Sequence, residues 1–280
     1  HVLMAVNQPD GDSATSLSPP DPAAASLWTE EYAADFTDLG AHDFTSTAAK
    51  TLNGVEWTAV NADDSSKFEL TASTGLEIDP TGNNASASRW NDVQTLPYLS
   101  ASIDDMCGGD YSPDLDTVAL QLHMDSATDP TASYNAYGLG VQEGATANGA
   151  NKYVSLRRVG VGGAKKYGCN RNNVSDNEVI ATQATFFEIV FFPGNSYVCS
   201  MGVFASSFPD PLLTTSTFAS KGAISSALGP GGGSGGSAEA APSWPVTSSA
   251  SFVINAQLAA SSGTFATTAY KMRLLRRKTS

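Results

Sequence analysis

The sequence predicts an all-β protein, an antiparallel sandwich, and three observations carry that expectation. Thr185 to Phe192 (TFFEIVFF) is apolar on both faces of an extended chain: Phe187, Ile189 and Phe191 lie on one, Phe186, Val190 and Phe192 on the other, and Glu188 alone interrupts. A strand of that kind belongs in the middle of a sheet covered on both sides. About ten to twelve short alternating stretches follow one another with turn residues between them and no long helical period. No repeat of fixed length is visible, which disfavours propellers and solenoids.

Pro193-Gly194-Asn195-Ser196 is strong turn chemistry and Tyr197 to Phe204 resumes the extended pattern, so this stretch reads as a central hairpin. Upstream, residues 1–25 are rich in Pro, Asp, Ser and Ala and read as an extended N-terminal arm. Ser26 to Glu31 offers a helix cap followed by acidic residues and predicts a helical turn or two. Asn53-Gly54 is a turn, and Val55 and Trp57 then point inward from a strand over 55–60. Phe68 with Leu70, Leu76 with Ile78, and Leu99 with Ala101 and Ile103 mark further strands. The clearest alternation in the N-terminal half runs from Thr117 to Met124, with Val118, Leu120, Leu122 and Met124 on one side and Thr117, Ala119, Gln121 and His123 on the other. Tyr137, Leu139 and Val141 continue it, as do Val154 and Leu156. Residues 229–237 form a Gly-rich flexible loop that lacks the Lys-Ser/Thr pair and helix of a phosphate cradle. Phe252 to Leu258 and Tyr270 to Leu274 close a single sandwich domain over 26–280.

Composition bounds the function. At 41% hydrophobic the chain can build a core, so global disorder is unsupported. A net charge of −13 argues against nucleic acid as a general partner. The charge is divided unevenly: residues 1–151 hold 23 Asp and Glu against Lys50, Lys67 and Arg89, whereas 12 of the 15 Lys and Arg lie in 152–280. This split points either to complementarity within the chain or to head-to-tail contact between copies; an acidic solvated surface is the plain alternative. Cys107, Cys169 and Cys199 form no CxxC pair, so zinc is not expected; Cys199 reads as core, and Cys107 could meet Cys169 only if the fold joins them. No signal peptide and no bilayer-length apolar run is read, and a start at His1 reads as processing.

Trp28, the Asp35-Phe36 pair, Gly54-Val55-Glu56-Trp57, Gly75-Leu76-Glu77-Ile78, the FFEIVFF strand and the terminal YKMRLL strand together resemble the concanavalin-A-like jelly roll over residues 28–278. That resemblance implies the fold of lectins, laminin-G-like modules and β-glucanases, reused in decoration, fibre and spike proteins of tailed-phage virions. Glucanases of the fold carry a Glu-x-Asp-x-x-Glu strand; here Glu77-Ile78-Asp79 begins it, but Pro80-Thr81-Gly82 follows and the second Glu is missing. Retaining hydrolysis needs two carboxyl groups about 5 Å apart, so the chain is read as not an enzyme.

Other chemistry is local. Asp104, Asp105, Asp110, Asp114 and Asp116 place five carboxylates within thirteen residues beside Gly108 and Gly109, the hard oxygen donors a calcium ion takes. Trp90 and Trp244 sit in loops and offer platforms for sugar rings. Glu188, inside an apolar strand, calls for a partner such as Arg157 or Arg158. His123 reads as an inert surface residue. Lys271, Arg273, Arg276, Arg277 and Lys278 form a basic face and tail suited to an acidic partner, including another copy. The reading is a virion-surface or extracellular protein of decoration type, with particle proteins, its own copies and, through host-surface adhesion, cell-surface glycans as partners, no membrane span and no required cofactor; a lectin-like module is the alternative and a β-glucanase the third.

Overall fold

The computed structural model describes residues 28–44, 49–60, 67–79, 84–85, 98–126, 136–143, 153–161, 164–171, 174–179, 185–193, 196–202, 204, 206–211, 250–259 and 267–278. The 1–25 arm, the 229–237 loop, Trp90 and Trp244 lie outside them. In chain order the strands are β1 (Thr29–Asp35), β2 (His42–Phe44), β3 (Lys50–Leu52), β4 (Val55–Val60), β5 (Lys67–Thr71), β6 (Gly75–Asp79), β7 (Asn84–Ala85), β8 (Tyr98–Ser102), β9 (Asp116–Ser126), β10 (Ala136–Glu143), β11 (Tyr153–Val161), β12 (Ala164–Arg171), β13 (Val174–Val179), β14 (Phe186–Phe192), β15 (Ser196–Gly202), β16 (Ala250–Ala259) and β17 (Thr267–Lys278). One short helix, α1 (Ile103–Met106), separates β8 from β9.

Two sheets face each other, as the alternation predicts. The first runs β15-β14-β9-β17-β6-β5-β2, with β1 also on β17; the second runs β13-β12-β11-β10-β16-β8-β4-β3, with β7 parallel to β16. The long strand β17 organises the first sheet. Along one side it pairs with β9 over its whole length; along the other, Thr267 to Ala269 pair with β6 and Lys271 to Arg276 with β1. The change of partner falls at Tyr270, a bulge whose carbonyl accepts from Phe36 N at 2.8 Å.

The core lies between the sheets. Leu120, Leu122, Phe187, Ile189, Met272 and Leu274 contribute from one side; Trp57, Leu99, Leu139, Phe252 and Ile254 from the other. Edges of the Trp57 ring meet Phe36 and Phe252 at centroid distances of 5.9 and 5.7 Å. Its Nε1–H donates to Tyr32 Oη at 2.9 Å, and that hydroxyl donates to Leu52 O at 2.9 Å. This chain of hydrogen bonds crosses from β1 of one sheet to β3 and β4 of the other and satisfies polar atoms that the core would otherwise strand. Burial pushes the Tyr32 hydroxyl up to about 12, against a smaller lowering by the Trp57 hydrogen bond, so it stays a donor at neutral pH.

Three expectations need correction. The 186–202 hairpin is present, but it is not central: β15 is the edge of its sheet and β14 is next to it. Strand β14 is apolar on both faces because its outer face is also covered, Val190 packing with Ala119, Leu275, Trp28 and Phe192. The helical turn expected over Ser26 to Glu31 is strand from Thr29 onward, since Glu30 and Glu31 meet cations of β17 rather than a helix dipole. Ile103 does not extend its strand; it opens α1, capped by Ser102 Oγ, which accepts from Asp105 N at 3.1 Å. Strands β12 and β13 (AKKYGCNR and VSDNEV) carry too little alternation to be read from sequence.

Two glycines at positive φ separate strain from crowding. At Gly54 (φ +87°) an added Cβ meets nothing within 4 Å, whereas at Gly75 (φ +126°) it would lie 2.7 Å from Ala269 O on β17. Gly54→Ala should cost about 1 kcal/mol and Gly75→Ala about 3 kcal/mol or more in urea unfolding. Equal losses would refute the close β6–β17 approach.

Candidate functional site

The basic face of β17 finds acidic partners within the chain. Antiparallel register sets Asp35 opposite Lys271, and their side chains pair at 2.6 Å. Burial alone would raise the Asp35 carboxyl, but hydrogen bonds from Lys271 and Thr37 outweigh it and hold the group below its usual range. The same hydrogen bond raises Lys271. Glu31 sits at a bulge of β1, between Glu30 opposite Leu275 and Tyr32 opposite Leu274. From there Glu31 Oε1 accepts from Arg276 Nε and Nη2, both at 2.8 Å.

Arg276 is buried and gathers the acidic loop as well. Its Nη1 donates to Asp110 O at 2.6 Å and reaches Asp110 Oδ2 at 3.3 Å and Asp116 Oδ2 at 3.6 Å. The five aspartates whose spacing suggests calcium are therefore dispersed by role. Asp104 Oδ1 accepts from Tyr111 N, Asp116 Oδ2 accepts from Ser112 N, and Asp105 and Asp114 are exposed. Among the described residues no group of three or more His, Cys, Asp or Glu is arranged to hold a metal. Of the five, Arg276 reaches Asp110 and Asp116. Next to it Cys107 is buried and free, its thiol pushed up to about 12 chiefly by burial, so it stays protonated. Arg277 is half-buried; the Lys278 side chain lies outside the described residues.

On the outer face of the first sheet, residues 204 and 206–211 cross the strands as a strap. Pro209 and Pro211 withhold donors that a further strand would need, which keeps FPDP out of the ladder. Phe204 stacks on His123 at 3.8 Å between centroids and meets Phe208 edge-on at 5.2 Å; Arg273 lies over the Phe208 ring at 5.3 Å. Phe204 N donates to Thr185 Oγ1 at 2.8 Å. Between the strap and the β1–β17 pair opens a cleft of about 370 Å³, lined by Glu30, Asp35, Phe204, Phe208, Lys271 and Arg273, with Ser206 and Ser207 at its rim. Two aromatic rings, two carboxylates and two cations thus face one solvent-open space. Of these, the sequence pattern singles out only Lys271 and Arg273. Phe204 reads as strand from the sequence, and the signal for the strap is the proline pair at 209 and 211, which a further strand would not carry.

Glu188 is wholly buried, on the outer face of β14, and its carboxylate accepts from Gln121 Nε2 on β9. Arg157 and Arg158, the partners expected for it, belong to β11 of the other sheet, and their side chains lie outside the described residues. His123, expected at an inert surface, is half-buried under Phe204, and its Nδ1 has no hydrogen-bond partner among the described residues.

No family model matches the chain, and no curated protein matches it. Solved structures do. The endo-1,3-β-glucanase of Streptomyces sioyaensis is similar at 10% identity and a TM-score of 0.46, over 94% of this chain and 100% of that one. The CBM2 module of the evolved Dit of Lactobacillus casei BL23 phage J-1 is similar at 9% identity and 0.44, over 91% and 98%. A bifunctional GH43-CE protein of Bacteroides eggerthii is similar at 11% and 0.45, over 86% of this chain but 25% of its own length. The expectation that the chain is not an enzyme is withdrawn, because a named glucanase stands among these similar chains. Along β6 the second Glu of that pattern is still missing, and Glu69 of β5 lies opposite Glu77 in the ladder.

The geometry makes two of these groups testable. Arg276→Met leaves Glu31 and Asp116 without their buried cation and should cost about 3–5 kcal/mol in denaturant unfolding; a loss under about 1 kcal/mol would show the network to be idle. Burial lowers His123 from 6.5 to about 4, with Asp125 and Asp35 opposing and Lys271 adding to it. As pH falls through this window the unfolded chain gains a proton that the folded chain refuses, so stability is full above pH 6.5 and declines toward pH 4. His123→Phe, which keeps the stack, should flatten that slope in thermal unfolding; an unchanged slope would assign it to other groups.

Proposed function

We propose that the protein is a carbohydrate-binding β-sandwich whose ligand lies in the strap cleft. The observation that carries this is the meeting of Phe204 and Phe208 with Glu30, Asp35, Lys271 and Arg273 around one open space. A pyranose ring has an apolar C–H face that packs on aromatic side chains and a rim of hydroxyls that both donate and accept. Carboxylates take the donated protons and the guanidinium and ammonium groups supply the opposing ones. Two negative and two positive groups balance across the cleft, which favours a neutral sugar over a polyanion.

The particle-surface reading keeps the composition and the arm as its support. It loses the charge split, because Lys271, Arg273 and Arg276 face Asp35, Glu30 and Glu31 of the same chain.

The test is a printed glycan array probed with the full chain, followed by titration of the best ligand. Phe208→Ala should weaken binding about tenfold, equal to roughly 1.4 kcal/mol of lost ring contact. An array without neutral-glycan binding, or wild-type affinity in the variant, would remove the cleft reading.

A further inference from the structure

We infer that Glu188 and Gln121, neither of which lines the cleft, are positioning residues that hold its aromatic wall in place. This rests on the reading of the cleft as a ligand site. Both side chains are wholly buried, and they sit beneath the strap on adjacent strands, Glu188 of β14 directly opposite Gln121 of β9. Gln121 Nε2 donates to the Glu188 carboxylate and, at 2.8 Å, to Pro209 O in the strap. Gln121 Oε1 accepts from Arg273 Nε at 2.7 Å. Arg273 Nη2 in turn donates to Pro209 O at 3.2 Å and lies 3.5 Å from Phe208 O.

The orientation of that amide is dictated by its neighbours. A carboxylate only accepts and a guanidinium only donates, so the NH₂ group must face Glu188 and the oxygen must face Arg273. With the first N–H held by Glu188, the second is aimed at Pro209 O. The Arg273 guanidinium and the accepting oxygen of Glu188 together thereby convert a rotatable amide into a fixed donor for the strap. Prolines at 209 and 211 supply no N–H of their own, so the strap is anchored in this stretch through its carbonyls. Phe208 directly precedes the anchored carbonyl and meets Phe204 edge-on, so the cleft's two rings inherit its position. Glu188 therefore acts on the ligand through Gln121 and the strap, not by contact.

Three variants read out by amide exchange and array binding test this. In Glu188→Gln the side-chain oxygen still accepts from Gln121, so strap exchange and glycan binding should stay near wild type. Gln121→Glu sets two carboxylates together and removes the donor to Pro209 O; melting temperature should fall and strap amides exchange faster. The double variant E188Q/Q121E repairs the buried pair with reversed polarity, because the amide introduced on β14 donates to the carboxylate introduced on β9, but Pro209 O still lacks one donor. Its melting temperature should recover while exchange at Phe204, Ser206, Ser207, Phe208 and Asp210 stays about fivefold faster than wild type, the worth of one net hydrogen bond, with weaker array binding. If strap exchange recovers together with melting temperature, Gln121 only fills the sheet face and the inference is overturned. If the strap loosens and glycan binding is unchanged, the positioning role stands and the cleft is not the binding site.

Discussion

The pairing of β1 with β17 is the constraint on which the rest depends. It joins the acidic start of the described chain to its basic end, and the register makes ion pairs of what the composition shows only as a split. Two bulges make that register usable. Tyr270 lets β17 change neighbours from β6 to β1, and Glu31 turns an extra side chain toward Arg276. Without them the cations of β17 would face other rows of the sheet. The exposed pair of Lys271 and Asp35 adds little stability; the buried Arg276 network costs desolvation, and its effect is to fix which strands and loops meet.

A second consequence concerns the outer face of the first sheet. Sandwich sheets ordinarily bury one face and wet the other. Here the outer face is partly roofed by the strap and by Trp28, so Glu188, Gln121 and His123 are buried or half-buried away from the main core. Polar groups roofed in this way need partners, and those of Glu188 and Gln121 include each other, a strap carbonyl and Arg273. The same roof leaves the cleft at its margin. Structure and candidate site therefore share one set of contacts.

Much of the architecture was legible. Alternation picked out β4, β5, β6, β8, β9, β10 and β17 because each buries one face against a common core, and a period of two survives in the sequence. Asn53-Gly54 and Pro193 marked real turns, since left-handed or ring-locked backbone narrows the residues that fit. The polar strands β12 and β13 left no such trace, and two-faced apolarity misplaced β14, because covering an outer face with a loop produces the same pattern as a central position. The cleft was barely legible. Phe204 and Phe208 read as hydrophobic residues near a hairpin, and Glu30 and Asp35 as acids among many.

What the sequence by itself determined is the class, two-layered and antiparallel with one large core, together with an uneven division of charge along the chain. What only the tertiary structure decided is which of those charges meet. A side chain's local pattern records whether it faces oil or water, since burial acts residue by residue. It does not record which distant strand supplies its partner. Arg276 and Glu31 are far apart in the chain and in hydrogen-bond contact in the fold, and that proximity comes from a register that no single segment encodes.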